Sequence, residues 1–133
     1  MSALDSNGLF PNGGTARRRV LRAQNIELDV RGQVISRGGQ SLPRIPRKEF
    51  LILQLLLERA GQVVSREELK ERAWGEVITP VSEKTLDVHV RRLRSRIERD
   101  PSNPDLIRTV RGTGYVFDTR PIPMGTADVT QAI

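Results

Sequence analysis

Cysteine is absent from this 133-residue chain. That removes disulfides, thiolate metal sites and a cysteine nucleophile from consideration. Aromatic residues make up only 4% of the chain, so a core must be built from Leu, Ile and Val. There is one histidine, His89. As a base it lacks a nucleophile and an orienting partner in recognisable order, and as a metal ligand it lacks companions. A packed or phosphate-touching imidazole is the better reading. Apolar runs are a few residues long, as at Leu55-Leu56-Leu57, far short of the roughly 20 residues that span a bilayer. No basic start followed by an apolar stretch marks a secretory signal. Arg37-Gly38-Gly39 is not followed by Gly-Lys-Ser/Thr, so it is not a nucleotide-phosphate loop. Glu67, Glu68 and Glu71 read as a solvated face with a capping group, not as an acid/base pair. No catalysis, metal or cofactor is expected, and a cytoplasmic protein is.

What is present is positive charge. The formal net charge is +6, which suggests a polyanionic partner, nucleic acid or an anionic membrane surface. The charge is concentrated in Arg17, Arg18, Arg19 and Arg22, and again between Arg91 and Arg99, where five arginines accompany one acid, Glu98.

The ends differ from the middle. Residues 1–16 and 121–133 read as a disordered linker and a flexible tail, leaving one domain over 17–120. Ile26, Leu28 and Val30 alternate with polar residues, and Arg31-Gly32 and Gly38-Gly39 punctuate the stretch up to Leu42, so three or four short antiparallel strands are expected. Phe50, Leu53, Leu56, Leu57 and Ala60 predict a helix over 47–60, stopped by Gly61. Gln62-Val63-Val64 can add a strand. Ser65 with Glu68 forms a capping box for a second helix, which buries Leu69, Ala73 and Trp74 and ends at Gly75. Ser82 caps a third helix running to about Glu98. The 100–105 segment breaks it, and two strands flank Gly112-Thr113-Gly114. The fold class is therefore α+β.

In the third helix, Leu86, Val90, Leu93 and Ile97 fall on one stripe, the buried side. Lys84, Val88, Arg91, Arg92, Ser95 and Arg99 lie opposite. Thr85, His89 and Arg96 occupy one flank, and Asp87, Arg94 and Glu98 the other. A cationic helix of this kind fits a DNA major groove, where a central arginine, Arg92, can offer two donors to guanine O6 and N7. Val88 can touch a thymine methyl, and Thr85 a base or a phosphate. Arginines on the flanks reach phosphates and set orientation. Arg111 beside the Gly-Thr-Gly turn suits a narrow minor groove.

These segments together resemble the OmpR/PhoB-type effector domain of bacterial two-component response regulators. The resemblance rests on Lys48-Glu49-Phe50 and its leucine-rich helix, on Gly61 to Leu69, and on Ala73-Trp74-Gly75. It continues through Thr85 to Arg94 and through Thr109 to Tyr115, so that it covers roughly residues 20–119. It implies a winged helix-turn-helix with an N-terminal antiparallel sheet, three helices and a C-terminal β-hairpin wing. It implies base-side roles for Thr85, Val88 and Arg92 and a minor-groove role for Arg111. Arg66, Trp74, Lys84, His89, Arg91, Arg94, Thr109 and Tyr115 take phosphate-contact positions. Gly75, Glu76, Val77, Ile78 and Thr79 correspond to a loop that meets RNA polymerase in several relatives. Direct repeats of duplex DNA, bound by a head-to-tail pair of an otherwise monomeric protein, are implied by the same resemblance.

The chain departs from the family pattern in three respects. Pro46-Arg47 replaces the usual Thr-Pro at the first helix, weakening the expected cap. Lys84 replaces a frequent arginine, so a bidentate phosphate grip becomes a point charge. No doubly wound α/β unit with an acidic pocket precedes Arg17, so the chain is either an excised effector domain or a free-standing relative. Two competing readings are a protein-interaction module contacting the transcription machinery and an RNA- or membrane-surface-binding protein. The lack of exposed aromatic stacking pairs argues against single-stranded RNA. The lack of a basic amphipathic helix with an aromatic apolar face argues against a membrane.

Overall fold

A computed structural model describes residues 19–75 and 81–120. They fall into two compact units, divided after Arg44.

The first unit is a four-stranded antiparallel meander: β1 (Val20–Ala23), β2 (Ile26–Asp29), β3 (Val34–Arg37) and β4 (Gln40–Ser41), in that order across the sheet. Leu21 pairs with Leu28, and Leu28 with Ile35. Ile26, Leu28 and Ile35 are buried, as period-2 alternation requires for one face of a sheet. Gly38 and Gly39 both have positive φ, 59° and 85°, which suits the two-residue turn from β3 to β4. At the Arg31-Gly32 turn the left-handed residue is Gln33, with φ 55°. Gly32 serves there by close approach instead, since an added Cβ would lie 2.9 Å from Asp29 Oδ2. The Gln24-Asn25 turn between β1 and β2 carries no glycine, and Gln24 takes φ 55°.

The second unit holds α1 (Arg47–Glu58), β5 (Val63–Ser65), α2 (Arg66–Trp74), α3 (Glu83–Ile97), β6 (Ile107–Val110) and β7 (Gly114–Phe117). The α1 N-cap is Pro46, and no side chain caps it, in keeping with the missing Thr-Pro pair. The helix stops two residues short of the expected Ala60. There the chain turns so that the Gly61 amide donates to the Phe117 carbonyl at 2.9 Å. At α2, Ser65 Oγ accepts the Glu68 amide at 3.1 Å and its hydroxyl donates back to the Glu68 carboxylate, so the capping box forms. At α3, Ser82 Oγ accepts the Thr85 amide at 3.1 Å.

Strands β5, β7 and β6 form an antiparallel sheet in that spatial order. Gly114 sets its closeness: a Cβ there would stand 2.0 Å from the Val64 carbonyl oxygen, so only glycine lets β7 lie on β5. The core of this unit contains Phe50, Ile52, Leu53, Leu56, Val64, Leu69, Ile107 and Phe117, with the whole predicted stripe Leu86, Val90, Leu93 and Ile97 fully buried. Each aliphatic side chain of that stripe contributes about 1.5–3 kcal/mol on burial. That anchors one side of α3 and leaves the other to solvent.

Candidate nucleic-acid interface

Burial of the Leu86–Ile97 stripe turns Lys84, Arg91 and Arg92 outward. All three are exposed, and none has a carboxylate partner among the described residues. Val88 and Thr85 are half-buried beside them. The Thr85 hydroxyl lies 2.8 Å from Ser82 Oγ, so it is already held in place by the cap. Arg111, at the turn between β6 and β7, is also exposed and unpartnered among the described residues.

The other arginines of this segment are engaged. Arg96 donates through Nε to Glu49 Oε1 at 2.7 Å, and the Glu49 side chain is only 2% exposed. Arg99, expected on the cationic face, instead pairs with Asp105 at 3.0 Å. The 100–105 loop folds back and brings that acid to it. Arg94 reaches the wing, donating to the Ile107 carbonyl at 3.1 Å and to Thr109 Oγ1 at 2.8 Å. Glu98, at the helix end, is buried, and its carboxylate accepts the amides of Asp105, Leu106 and Ile107 at 2.8–3.0 Å. It thereby fixes the start of β6. In the N-terminal unit Arg22 pairs with Glu27 at 3.1 Å. Arg17 and Arg18 lie outside the described residues.

A second network ties α2, α3 and the wing together. Arg66 bonds to Glu83 and to Asp87, and Lys70 bonds to Glu83. The Tyr115 hydroxyl donates to Asp87 Oδ1 at 2.5 Å. The Arg66 and Arg94 guanidinium carbons each lie 5.5 Å from the Tyr115 ring centroid, within cation–π range. Burial works against charge on Asp87, but the bonds from Tyr115 and Arg66 outweigh it and hold the carboxyl below its ordinary range. Lys70 first, then Arg66, does the same for Glu83. Burial, with the Asp87 bond, pushes the Tyr115 hydroxyl up. Burial opposes charge on Arg66, yet its bonds to Asp87 and Glu83 raise its pKa above the ordinary arginine value.

The expected phosphate-facing set therefore divides. Lys84 and Arg91 are open. Trp74 is half-exposed, with His89 edge-on to it at 4.9 Å and 80°. Arg94 and Thr109 are bonded to each other, while Arg66 and Tyr115 direct their polar groups at Glu83 and Asp87. Sequence reasoning missed the acids that do this, Glu49, Glu83, Asp87 and Asp105. Glu83 and Asp87 come just after the Ser82 cap, the one signal that they crowd the helix start. Nothing along the chain links Glu49 to Arg96. Of the polymerase-contact positions, Gly75 ends α2 with φ 69°, and Glu76, Val77, Ile78 and Thr79 lie outside the described residues. Among the described residues no helix is long and apolar enough to cross a membrane, and no group of His, Asp or Glu has the makings of a metal site.

The model of a family described as transcriptional regulatory protein, C terminal, matches residues 39–117. The chain is 46% identical over 99 residues to the sensory transduction protein RegX3 of Mycolicibacterium smegmatis, covering 74% of this chain and 42% of that protein. It thus spans less than half of that relative. Among solved structures it is similar to the response regulator DrrB, described as a Thermotoga maritima OmpR/PhoB homolog. That likeness has 37% identity and a TM-score of 0.66, over 74% of this chain and 44% of DrrB. It is also similar to the Klebsiella pneumoniae RstA DNA-binding domain, solved in complex with the RstA box. There the identity is 25% and the TM-score 0.67, over 77% of this chain and 99% of that one.

Proposed function

The chain belongs to the family of transcriptional regulatory protein C-terminal domains, of the OmpR/PhoB winged-helix type, and from that premise we propose that it binds duplex DNA sequence-selectively. In this reading α3 enters the major groove and the β6–β7 turn enters the adjacent minor groove. The observation that carries it is the pairing pattern on α3: Lys84, Arg91 and Arg92 stand open on one edge. Cations that no carboxylate holds can replace the counterions condensed on a phosphate backbone without first breaking an ion pair.

Arg92 reads a guanine, with Val88 and Thr85 beside it on the base edges and Arg111 in the minor groove. Lys84, Arg91, His89 and Trp74 position the phosphates. Arg94 keeps its Nη1 donors, and Thr109 its hydroxyl hydrogen, for the same purpose. Arg66 and Tyr115 act a step further back, holding α3 and the wing in register through Asp87. Two copies sit head to tail on direct repeats, the partner of residues 75–79 is RNA polymerase, and the protein works in the cytoplasm without catalysis.

A titration of selected and scrambled duplexes tests this. Arg92→Ala should lose about 1–3 kcal/mol at the selected site and relax one base preference, while the fold's melting curve stays unchanged. Equal binding of both duplexes by parent and variant would remove α3 from the groove. Salt-insensitive binding by every variant would favour the protein-interaction alternative.

A further inference from the structure

We propose that Glu98 is a positioning residue for minor-groove reading. With Arg94 it sets the angle of the β6–β7 hairpin against α3, and so how Arg111 meets the groove once α3 is seated. The inference rests on the duplex-DNA reading above and assigns the aim of the wing to a buried carboxylate.

Strand β6 is an edge of its sheet, with β7 as its one strand neighbour among the described residues. An edge strand leaves backbone groups open on its far side. Here α3 takes them. The Ile107 amide donates to Glu98 Oε2 at 2.8 Å, and the Ile107 carbonyl accepts from Arg94 Nε at 3.1 Å. Both main-chain groups of that residue are thus bonded to side chains one turn apart on α3. Glu98 Oε1 also accepts the amides of Asp105 and Leu106, at 2.9 and 3.0 Å. Arg94 Nη2 extends the attachment along the strand, reaching Thr109 Oγ1 at 2.8 Å. The Leu106 carbonyl meanwhile accepts the Asp118 amide at 2.7 Å, so the other side of the strand stays tied to the chain leaving β7.

The hairpin has a second attachment to the same helix. Tyr115, on β7, donates to Asp87. Asp87 lies near the start of α3 and Glu98 caps its end. The two attachments are therefore separated by most of a 15-residue helix, itself about 22 Å long. A hairpin held at one point can swing about it, whereas two points this far apart fix its angle. The Tyr115 contact is the pivot, because β7 is also paired with β5 on its other side. Glu98 and Arg94 are the far point, acting on the strand that has no further strand to hold it. Arg111 sits in the turn directly after β6. A change in the set of β6 therefore carries the guanidinium with it and leaves the buried stripe of α3 where it is.

The test is duplex binding by the full chain, at fixed salt and corrected for the folded fraction. The probes are the best duplex recovered from a random pool and its single-base-pair variants. Positions that the parent reads and Arg111→Ala does not are the minor-groove positions. In Glu98→Gln an amide nitrogen replaces one carboxylate oxygen and turns a donor toward backbone donors. Discrimination at the minor-groove positions should fall on the order of fivefold, while the positions that depend on Arg92 are read as before. Adding Glu98→Gln to Arg111→Ala should cost no further affinity, because the first acts through the second. Should Glu98→Gln fail to fold, Glu98→Asp, which keeps the charge on a shorter arm, is read in the same way. Full minor-groove discrimination in the folded variant means that Glu98 serves stability alone, and overturns the proposal. So does a loss that adds to that of Arg111→Ala. Both outcomes leave DNA binding intact. If Arg111→Ala reads every position as the parent does, the minor-groove role fails and the proposal with it. Absence of duplex binding by the parent sinks the DNA reading as a whole.

Discussion

Arg91 and Arg92 stand open on α3, whereas Arg94, Arg96 and Arg99, within the next few residues, are each spent on the protein itself. The sequence gap between the two groups is a single leucine, Leu93, which is fully buried. Residues before it look out over the exposed edge. Those after it meet acids and carbonyls from α1, the 100–105 loop and β6. Charge density along the chain therefore overstates the interface. What makes an arginine available to a polyanion is the absence of a tertiary acceptor, and only the fold determines that.

The sharpest way to break the contrast is to remove Arg96. Its partner Glu49 is 1% exposed, so Arg96→Ala leaves a buried carboxylate without its ion. Losing one member of such a pair costs on the order of 3 kcal/mol, and denaturant unfolding should show it. DNA base preference, measured at a temperature where the variant remains folded, should not change. A variant as stable as the parent but with altered preference would place Arg96 among the reading residues and erase the distinction.

Tyr115→Phe probes the intermediate class, residues that support the face without joining it. It deletes the hydroxyl that donates to Asp87 and leaves the ring under Arg66 and Arg94. About 1 kcal/mol of stability should go, and both α3 and wing contacts should weaken together. The same network gives a pH signature. Asp87 and Glu83 have folded-state pKa values below their ordinary ones. Their contribution is therefore complete above the ordinary carboxylate range and is lost as pH falls through the lowered values. Melting temperature should hold from neutrality to about pH 5 and fall below it. In Tyr115→Phe the acid-induced loss should be smaller. An identical acid profile would show that Asp87 is not the group being protonated.

The folding elements were legible because local rules governed them. The Leu86–Ile97 stripe, the Ser65 and Ser82 caps and the turn before Gly114 each arise from nearest-neighbour geometry, whereas the need for glycine at 114 itself comes from distant Val64. The absent cap at Pro46 was legible for the same reason. Hidden from the sequence were pairings between distant segments: Glu49 with Arg96, Asp105 with Arg99, and Glu98 with three backbone amides. Gln33 and Gln24 adopt positive φ with no compositional sign. The candidate interface was accordingly readable as a helix face but not residue by residue. Arg66 and Tyr115 occupy the expected positions with their polar groups tied to the α3 acids Glu83 and Asp87.

The smallest expected effect is the most discriminating. The Arg99 side chain is 60% exposed, yet it pairs with Asp105. If pairing decides availability, Arg99→Ala should leave the salt slope of duplex binding nearly unchanged, whereas Arg91→Ala should lower it by about 0.9. Its stability cost should stay under about 1 kcal/mol, as for exposed ion pairs generally. Equal slopes for Arg99→Ala and Arg91→Ala would mean that exposure alone governs contact with the polyanion. The ion pair would then open on binding, and the cationic face would extend past the helix end to the 100–105 loop.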